Sequence, residues 1–298
     1  MVKLIAVFGA TGTQGGSVAR ALLNDPKSFK VRAVTRNPNG EKAQQLADLG
    51  AEVVNASLDD PSTLLDALSG CYGVFGVTIY DDHRDKNREV KQGKALVDAC
   101  IESGIQHLIF SLFQSTTDQN PLIAGKAEIE KYMLESEIRC TSVRYSFYME
   151  NLLAGPLKPK LQHDGSFALA IPIDTPFGLL AASEAGKAVS SIFRCPDRYY
   201  GRIIPFAGDK ITVKRMANIL SRHLAPKVFR PSKTDLEQFS RLGFPGADEL
   251  AGLFDFYQSG NYELNLALTR HLDPGTKTFE EWVVANKSML NEVFNDED

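Results

Sequence analysis

Cysteine is scarce in this chain. Four occur in 298 residues, at Cys71, Cys100, Cys140 and Cys195, far apart and with no CxxC pair. That pattern excludes a zinc ribbon and a disulfide-stapled scaffold, and all four are expected as reduced thiols. Long apolar runs are missing too: nothing approaches the roughly 18 residues of a membrane-spanning helix. The short run in the opening MVKLIAVFGATG ends in glycines and reads as a buried strand rather than a signal peptide, so a cytoplasmic protein is expected. Neither sign of charge dominates, with 33 basic against 37 acidic residues, a net −4, and no extended Lys/Arg stretch. A strong electrostatic grip on nucleic acid or on an anionic membrane is thereby excluded. His83, His107, His163, His223 and His271 never stand at ligand spacing from another His or Cys, so no metal site is expected. No GxSxG nucleophile elbow occurs either.

What is present is an ordinary globular composition, 43% hydrophobic and 23% charged. The chain is long enough to bury about three quarters of its unfolded surface. Residues 1–150 alternate short apolar runs with helical patterns. The runs Lys3–Gly9, Val31–Thr35, Glu52–Asn55, Gly73–Thr78, His107–Ser111 and Cys140–Arg144 show little polar alternation, as strands do when both sheet faces are covered. Helices are predicted over Gln14–Asn24, Glu41–Leu49, Pro61–Ala67, Arg88–Ser103 and Gly125–Glu135. In the fourth, Val90, Gly93, Leu96, Val97, Cys100 and Ile101 share one face. The alternation predicts an α/β fold, a Rossmann-type doubly wound parallel sheet in residues 1–150. After Asn151, Pro156, Pro159, Pro172, Pro176, Pro196 and Pro205 interrupt the pattern. Leu161–Ala170 and Arg202–Ala207 read as strands, Ser183–Phe193 and Val213–His223 as helices. Residues 151–298 are expected to form a smaller mixed α/β subdomain, interleaved with the last strands of the sheet and ending in a frayed Asn-Asp-Glu-Asp tail.

The strongest motif is Gly9-Ala10-Thr11-Gly12-Thr13-Gln14-Gly15-Gly16, which follows the first strand and opens a helix. Gly9 permits a tight turn, Gly12 lets backbone approach a pyrophosphate, and Gly15 lets the helix pack close to the sheet. The helix start then offers its free N–H groups to the phosphates. A glycine triplet alone is often only a loop; the strand–turn–helix context makes this one a nucleotide site. The second strand ends Val34-Thr35-Arg36-Asn37, without the carboxylate that an NAD-binding fold places there for the ribose 2′-hydroxyl. A guanidinium pairs with a 2′-phosphate, so Arg36 favours NADP(H), although a solvated surface arginine is the plainer account; Lys42 on the next helix is placed to assist. Asp59-Asp60 reads both as a cap before Pro61 and as the turn beside adenine. Thr78-Ile79-Tyr80 ends the fourth strand at the cofactor edge.

Reductases of this fold use a serine, a tyrosine and a lysine, the last two spaced YxxxK. The tyrosine delivers a proton; the lysine lowers its pKa and holds the ribose. Here Ser111 or Ser115 ends the fifth strand and Lys126 follows, but Leu122 stands four residues before the lysine and Tyr132 lies beyond it. The usual proton donor is missing. Ser111 and Lys126 are catalytic candidates only if the protein is an enzyme.

Together, GATGTQGG, VTRNP, SLDD, EVKQGK, SVRYSFYMENLL and LGFPGADELAGLFDFY resemble the NmrA-like family, atypical short-chain dehydrogenase relatives. The similarity runs over nearly the whole chain. MENLL and the stretch Arg241–Tyr257 are its most specific parts and point to the animal-type redox-sensor subgroup. The resemblance implies an NADP(H)-binding regulator that reports cofactor state to protein partners, in the cytoplasm and also the nucleus, with little or no dehydrogenase turnover. It implies no direct contact with nucleic acid or membrane, and leaves a homodimer open. It implies that Gly9, Thr11, Gly12, Thr13, Gln14 and Gly15 hold the pyrophosphate and that Arg36, with Asn37 to Gly40, holds the 2′-phosphate. Asp60 would lie by adenine, Thr78 and Tyr80 by the central phosphates and ribose, and Lys91, Lys126, Tyr148 and Asn151 around the nicotinamide half. Two departures stand out: Leu122 replaces a histidine common in close relatives, and Asn39-Gly40-Glu41 replaces basic residues after the arginine. The rival reading is an NADPH-dependent reductase of a small carbonyl, quinone or phenolic substrate, similar to isoflavone reductases, using Lys126 with Tyr145 or Tyr148 as donor.

Overall fold

The computed structural model describes residues 1–113 and 120–295; Ser115 and the tail residues Asp296, Glu297 and Asp298 lie outside the described residues. Two compact units emerge, the first comprising residues 1–145, 182–206 and 267–274 and the second residues 146–181, 207–266 and 275–298. The first unit contains β1 (Lys3–Val7), β2 (Phe29–Thr35), β3 (Glu52–Asn55), β4 (Gly73–Val77), β5 (His107–Leu112) and β6 (Cys140–Tyr145). The second contains β7 (Phe147–Tyr148), β8 (Lys160–Leu161), β9 (Ser166–Leu169) and β10 (Phe177–Leu180). The chain then returns to the first unit as β11 (Arg202–Phe206) before β12 (Asp209–Ile211) and β13 (Val228–Pro231) complete the second.

In the first unit, seven strands among the described residues form one sheet in the order β11-β6-β5-β4-β1-β2-β3, with every pairing parallel. Sheet growth reverses at β1, which has β2 on one side and β4 on the other. That reversal opens a crevice at the strands' carboxyl ends. The connecting helices are α1 (Thr13–Leu23), α2 (Glu41–Asp48), α3 (Leu64–Leu68), α4 (Lys86–Glu102) and α5 (Pro121–Glu135), with α6 (Ala185–Arg194) before β11. Alternate residues of each strand enter opposite layers. Ala6, Phe8, Val74 and Phe110 join Leu64, Leu96, Val97, Ile129 and Met133 in one buried cluster that α3, α4 and α5 cover. Each large ring there matters: truncating a wholly buried phenylalanine such as Phe110 costs about 3–5 kcal/mol.

The expected elements form, with local corrections. α4 begins at Lys86 because the Asp85 carboxylate accepts from the Asn87 and Arg88 amides, and α5 begins at Pro121 because Asn120 caps it through the Leu122 amide. These are ordinary helix starts, with proline at the first position of α5. Pro61–Ala67 is a 3₁₀ turn, Pro61–Thr63, running into α3. Ile101, expected on the buried face of α4, is 43% exposed. It lies one residue past Cys100, and a single step of about 100° carries it out of the apolar stripe.

The second unit holds two three-stranded sheets, β12-β10-β7 and β13-β9-β8. The single strand expected over Leu161–Ala170 is instead the antiparallel hairpin β8–β9. Its turn is local chemistry: Gly165 has φ +77°, and the Asp164 carboxylate accepts from the Ser166 amide. The unit also carries α7 (Val213–His223), α8 (Leu236–Ser240) and α9 (Ala247–Ser259). The LGFPGADELAGLFDFY segment forms the entry turn and body of α9, whose Phe254 and Tyr257 pack in a buried aromatic group with Phe147, Phe177 and Phe239.

Candidate functional site

The glycine loop leaves β1 at Gly9, whose φ of +61° is easy only for glycine. The turn closes when the Gly12 amide donates to the Gly9 carbonyl at 2.9 Å, and the Gly16 amide donates to the Gly12 carbonyl at 2.9 Å. A Cβ on Gly15 would lie 2.3 Å from the Gly9 oxygen and 2.6 Å from the Phe8 oxygen, so helix and turn meet at glycine distance. No side chain among the described residues caps α1. The amides of its first turn therefore open on the crevice, where the helix dipole is positive. Gln14 points a buried Oε1 with no hydrogen-bond partner.

Beside the loop lies a cleft lined by Gly9, Thr11 and Gly12, the β2 end from Val34 to Arg36, the turn Ala56–Asp59, and Val77, Ile79, Asp82 and Gln92. Arg36 is exposed and donates from Nη2 to the Asp82 carboxylate at 2.7 Å. Asp59 accepts both Arg88 donors at 2.8 Å and Gln92 Nε2 at 2.9 Å. Those bonds, the Arg88 ones foremost, hold its carboxyl far below the usual carboxylate range. The paired aspartates divide their roles: Asp59 faces the cleft, while Asp60 accepts from the Ser62 amide and caps the following turn. Asn37 donates its amide to the Thr35 hydroxyl, Gly40 opens α2, and Lys42 stands exposed on that helix.

Farther along the same sheet edge the surroundings close. Lys126, on α5, donates to the Thr78 carbonyl at 2.9 Å, the Thr78 hydroxyl at 3.1 Å and Glu89 Oε1 at 2.7 Å. The Thr78 hydroxyl donates to the same Glu89 oxygen at 2.8 Å. Glu89 is wholly buried, and its other oxygen, Oε2, has no hydrogen-bond partner among the described residues and sits 2.8 Å from where a Cβ on Gly125 would lie. Ser111 is buried within β5, in register with Val77 and Val143. Tyr80 is buried on the turn after β4, and Lys91 is exposed on α4. Tyr132 donates to Asp98 at 2.6 Å, and burial pushes the Tyr145 phenol far up. Tyr148 and Asn151 are half-buried in the second unit, on β7 and the turn after it.

The structure thus brings Gly9, Thr11, Gly12, Arg36 and Asp59 to one cleft and joins Thr78 to Lys126. Sequence reasoning missed Asp82, Gln92 and Glu89. Glu89 had a signal: it precedes Gly93 and Leu96 by four and seven residues, the spacing of the buried face of α4. Asp82 and Gln92 had none, because their partners Arg36 and Asp59 lie 46 and 33 residues away.

Known proteins share this architecture. A negative transcriptional regulator, NmrA, solved in complex with NADP, superposes with a TM-score of 0.82 at 22% identity, over 99% of this chain and 98% of that one. An NADPH-dependent quinone oxidoreductase, QOR2, from Escherichia coli, complexed with NADPH, gives 0.79 at 24% identity over 98% and 100%. In sequence, an NmrA-like family domain-containing oxidoreductase of Aspergillus hancockii, hkm9, is 31% identical over 285 residues, covering 86% of this chain and 83% of its own. Residues 1–283 match the NmrA-like family, and with the glycine loop, the strand order and the Arg241–Tyr257 segment all in place, the chain belongs to that family.

Proposed function

We propose that the protein binds NADP(H) at the carboxyl edge of β1, β2 and β4 and reports the cofactor's state to protein partners, with little or no dehydrogenase turnover. The residues fit the nucleotide. The uncapped first turn of α1 suits a pyrophosphate, glycine at position 15 lets that turn pack directly on Gly9, and the buried Gln14 Oε1 has no partner among the described residues. Arg36, at the end of β2, suits a 2′-phosphate, and Asp59 with Ile79 borders the same cleft. NADPH held there would offer a hydride, and NADP⁺ would accept one, at the nicotinamide ring.

One observation carries the regulatory reading. A lysine ammonium has three N–H donors, and Lys126 directs three hydrogen bonds to Thr78 and Glu89. With Leu122 in place of the tyrosine, the chain puts no phenol four residues before this lysine to deliver a proton. On this reading the lysine serves to hold α5 to the sheet edge. The Aspergillus relative is called an oxidoreductase, and that word favours a second reading, an NADPH-dependent reductase of a small carbonyl, quinone or phenolic substrate, for which Lys126 and Ser111 are the catalytic candidates. Calorimetric titration with NADPH, NADP⁺, NADH and NAD⁺, followed by a panel of quinones and aldehydes, separates the two. Tight NADPH binding with turnover far below a typical enzyme's roughly 10 s⁻¹ supports the regulator; brisk oxidation by the wild type, lost in a Lys126→Ala protein that circular dichroism shows to be folded, establishes the reductase.

A further inference from the structure

The Arg36 guanidinium, read above as the 2′-phosphate partner, already has an anion against it. Asp82, on the turn after β4, holds Arg36 Nη2 at 2.7 Å and lines the same cleft. A phosphate monoester carries close to two negative charges at neutral pH. It cannot share that guanidinium edge with a carboxylate at 2.7 Å, because like charges so close repel strongly at a protein surface. We propose that Asp82 is a specificity-determining residue: it competes with the 2′-phosphate for Arg36 and so narrows the preference for NADP(H) over NAD(H).

This inference rests on the NADP(H) reading, and the balance of bond strengths sets its size. The Arg36–Asp82 pair is solvent-exposed, with side chains 63% and 38% accessible, so breaking it shifts an equilibrium by at most about fivefold. A charge-assisted bond to phosphate shifts it by tenfold or more. The phosphate therefore wins the arginine, at a reduced net gain. NAD(H), whose 2′-hydroxyl brings no charge, leaves the ion pair standing. The Arg88 guanidinium is held by both oxygens of Asp59 and also lies within electrostatic reach of Asp82, but it makes no hydrogen bond to Asp82 that would take the place of Arg36.

The test uses the full chain and four proteins: wild type, Asp82→Asn, Arg36→Ala and the double variant, each titrated with NADPH and NADH. Asp82 is exposed on a short turn, and circular dichroism with a melting curve verifies that each variant folds; Asp82→Ser repeats the measurement if the asparagine variant does not. Asp82→Asn is expected to tighten NADPH about two- to fivefold while moving NADH less than twofold. The gain should vanish in the Arg36→Ala background, since nothing is left to compete for. An unchanged or weakened NADPH affinity in Asp82→Asn, an equal gain for NADH, or the same gain without Arg36 overturns the proposal. The Arg36→Ala arm tests the underlying reading separately: selective loss of NADPH affinity upholds it whatever Asp82 does, and equal losses for both cofactors refute it.

Discussion

The sheet edge has an open end and a closed end. At the glycine loop the α1 amides lack a cap, Arg36 stands mostly in solvent, and polar groups face a cleft. At Lys126 the groups are equally polar but the donors are turned onto protein oxygens, with Glu89 buried against α5 and its Oε2 alone left without a partner among the described residues. Both ends lie at the carboxyl edge of the same parallel sheet, the open one after β1 and β2 and the closed one after β4, and both carry residues that dehydrogenase folds use. What differs is whether donors point at space or at protein. A polar group left facing a cleft is available for a ligand; one paired in the interior stabilises the fold and resists being recruited.

The largest expected effect breaks the open end. Gly12→Val should remove NADPH binding by more than about a hundredfold in calorimetry, since a branched side chain enters the pyrophosphate's place. Its φ of −90° suits any residue, but an added Cβ would lie 3.2 Å from the Gly9 oxygen, so the turn must give slightly and circular dichroism should verify that the variant folds. Normal NADPH affinity in a folded Gly12→Val protein would move the site elsewhere.

Breaking the closed end should cost stability. Lys126→Met leaves the Glu89 carboxylate buried and without its cation, and such a loss destabilises by about 3–5 kcal/mol in denaturant unfolding. Adding Glu89→Gln should recover part of it. A loss under about 1 kcal/mol would show that water reaches Glu89 and that the two ends differ less than their geometry indicates.

Arg36→Ala sharpens the comparison at intermediate size. NADP(H) affinity should fall by about 1.5–3 kcal/mol, roughly tenfold to a hundredfold, with protein stability nearly unchanged because the residue is exposed. Stability loss without selective loss of NADP(H) would make Arg36 structural.

The smallest effect concerns acid. Asp59 titrates well below its ordinary value of 3.8 because Arg88 and Gln92 bond its charged form. A carboxyl whose folded pKa is depressed stabilises the fold fully above its unfolded value, and that contribution fades as pH falls towards the folded one. Carboxyl chemical shifts followed below pH 4 should therefore show a late midpoint for Asp59, and Arg88→Ala should bring it back towards 3.8. With Asp59 a third exposed, the change in acid stability should stay small. A midpoint unaffected by Arg88→Ala would mean that this wall of the cleft is not held by the ion pair.

The alternation of apolar runs and helical patterns determined the parallel sheet, because each strand and helix is specified by periodicity within a dozen residues. The glycine loop and the Arg36 position were legible for the same reason: turn, helix start and strand end are contiguous in sequence. The local corrections, at Asn120-Pro121 and Asp164-Gly165, were also written there as capping and turn chemistry. Only the tertiary structure decided which polar groups meet. Asp82 against Arg36, Arg88 on Asp59, and Lys126 over Glu89 join residues 46, 29 and 37 positions apart. No periodicity links them, because strand order, not sequence order, brings β2, β4 and α4 to a common edge. Whether a lysine is free to act or bound into the fold depends on such distant neighbours, since burial and hydrogen bonding are properties of the assembled layers and not of the chain.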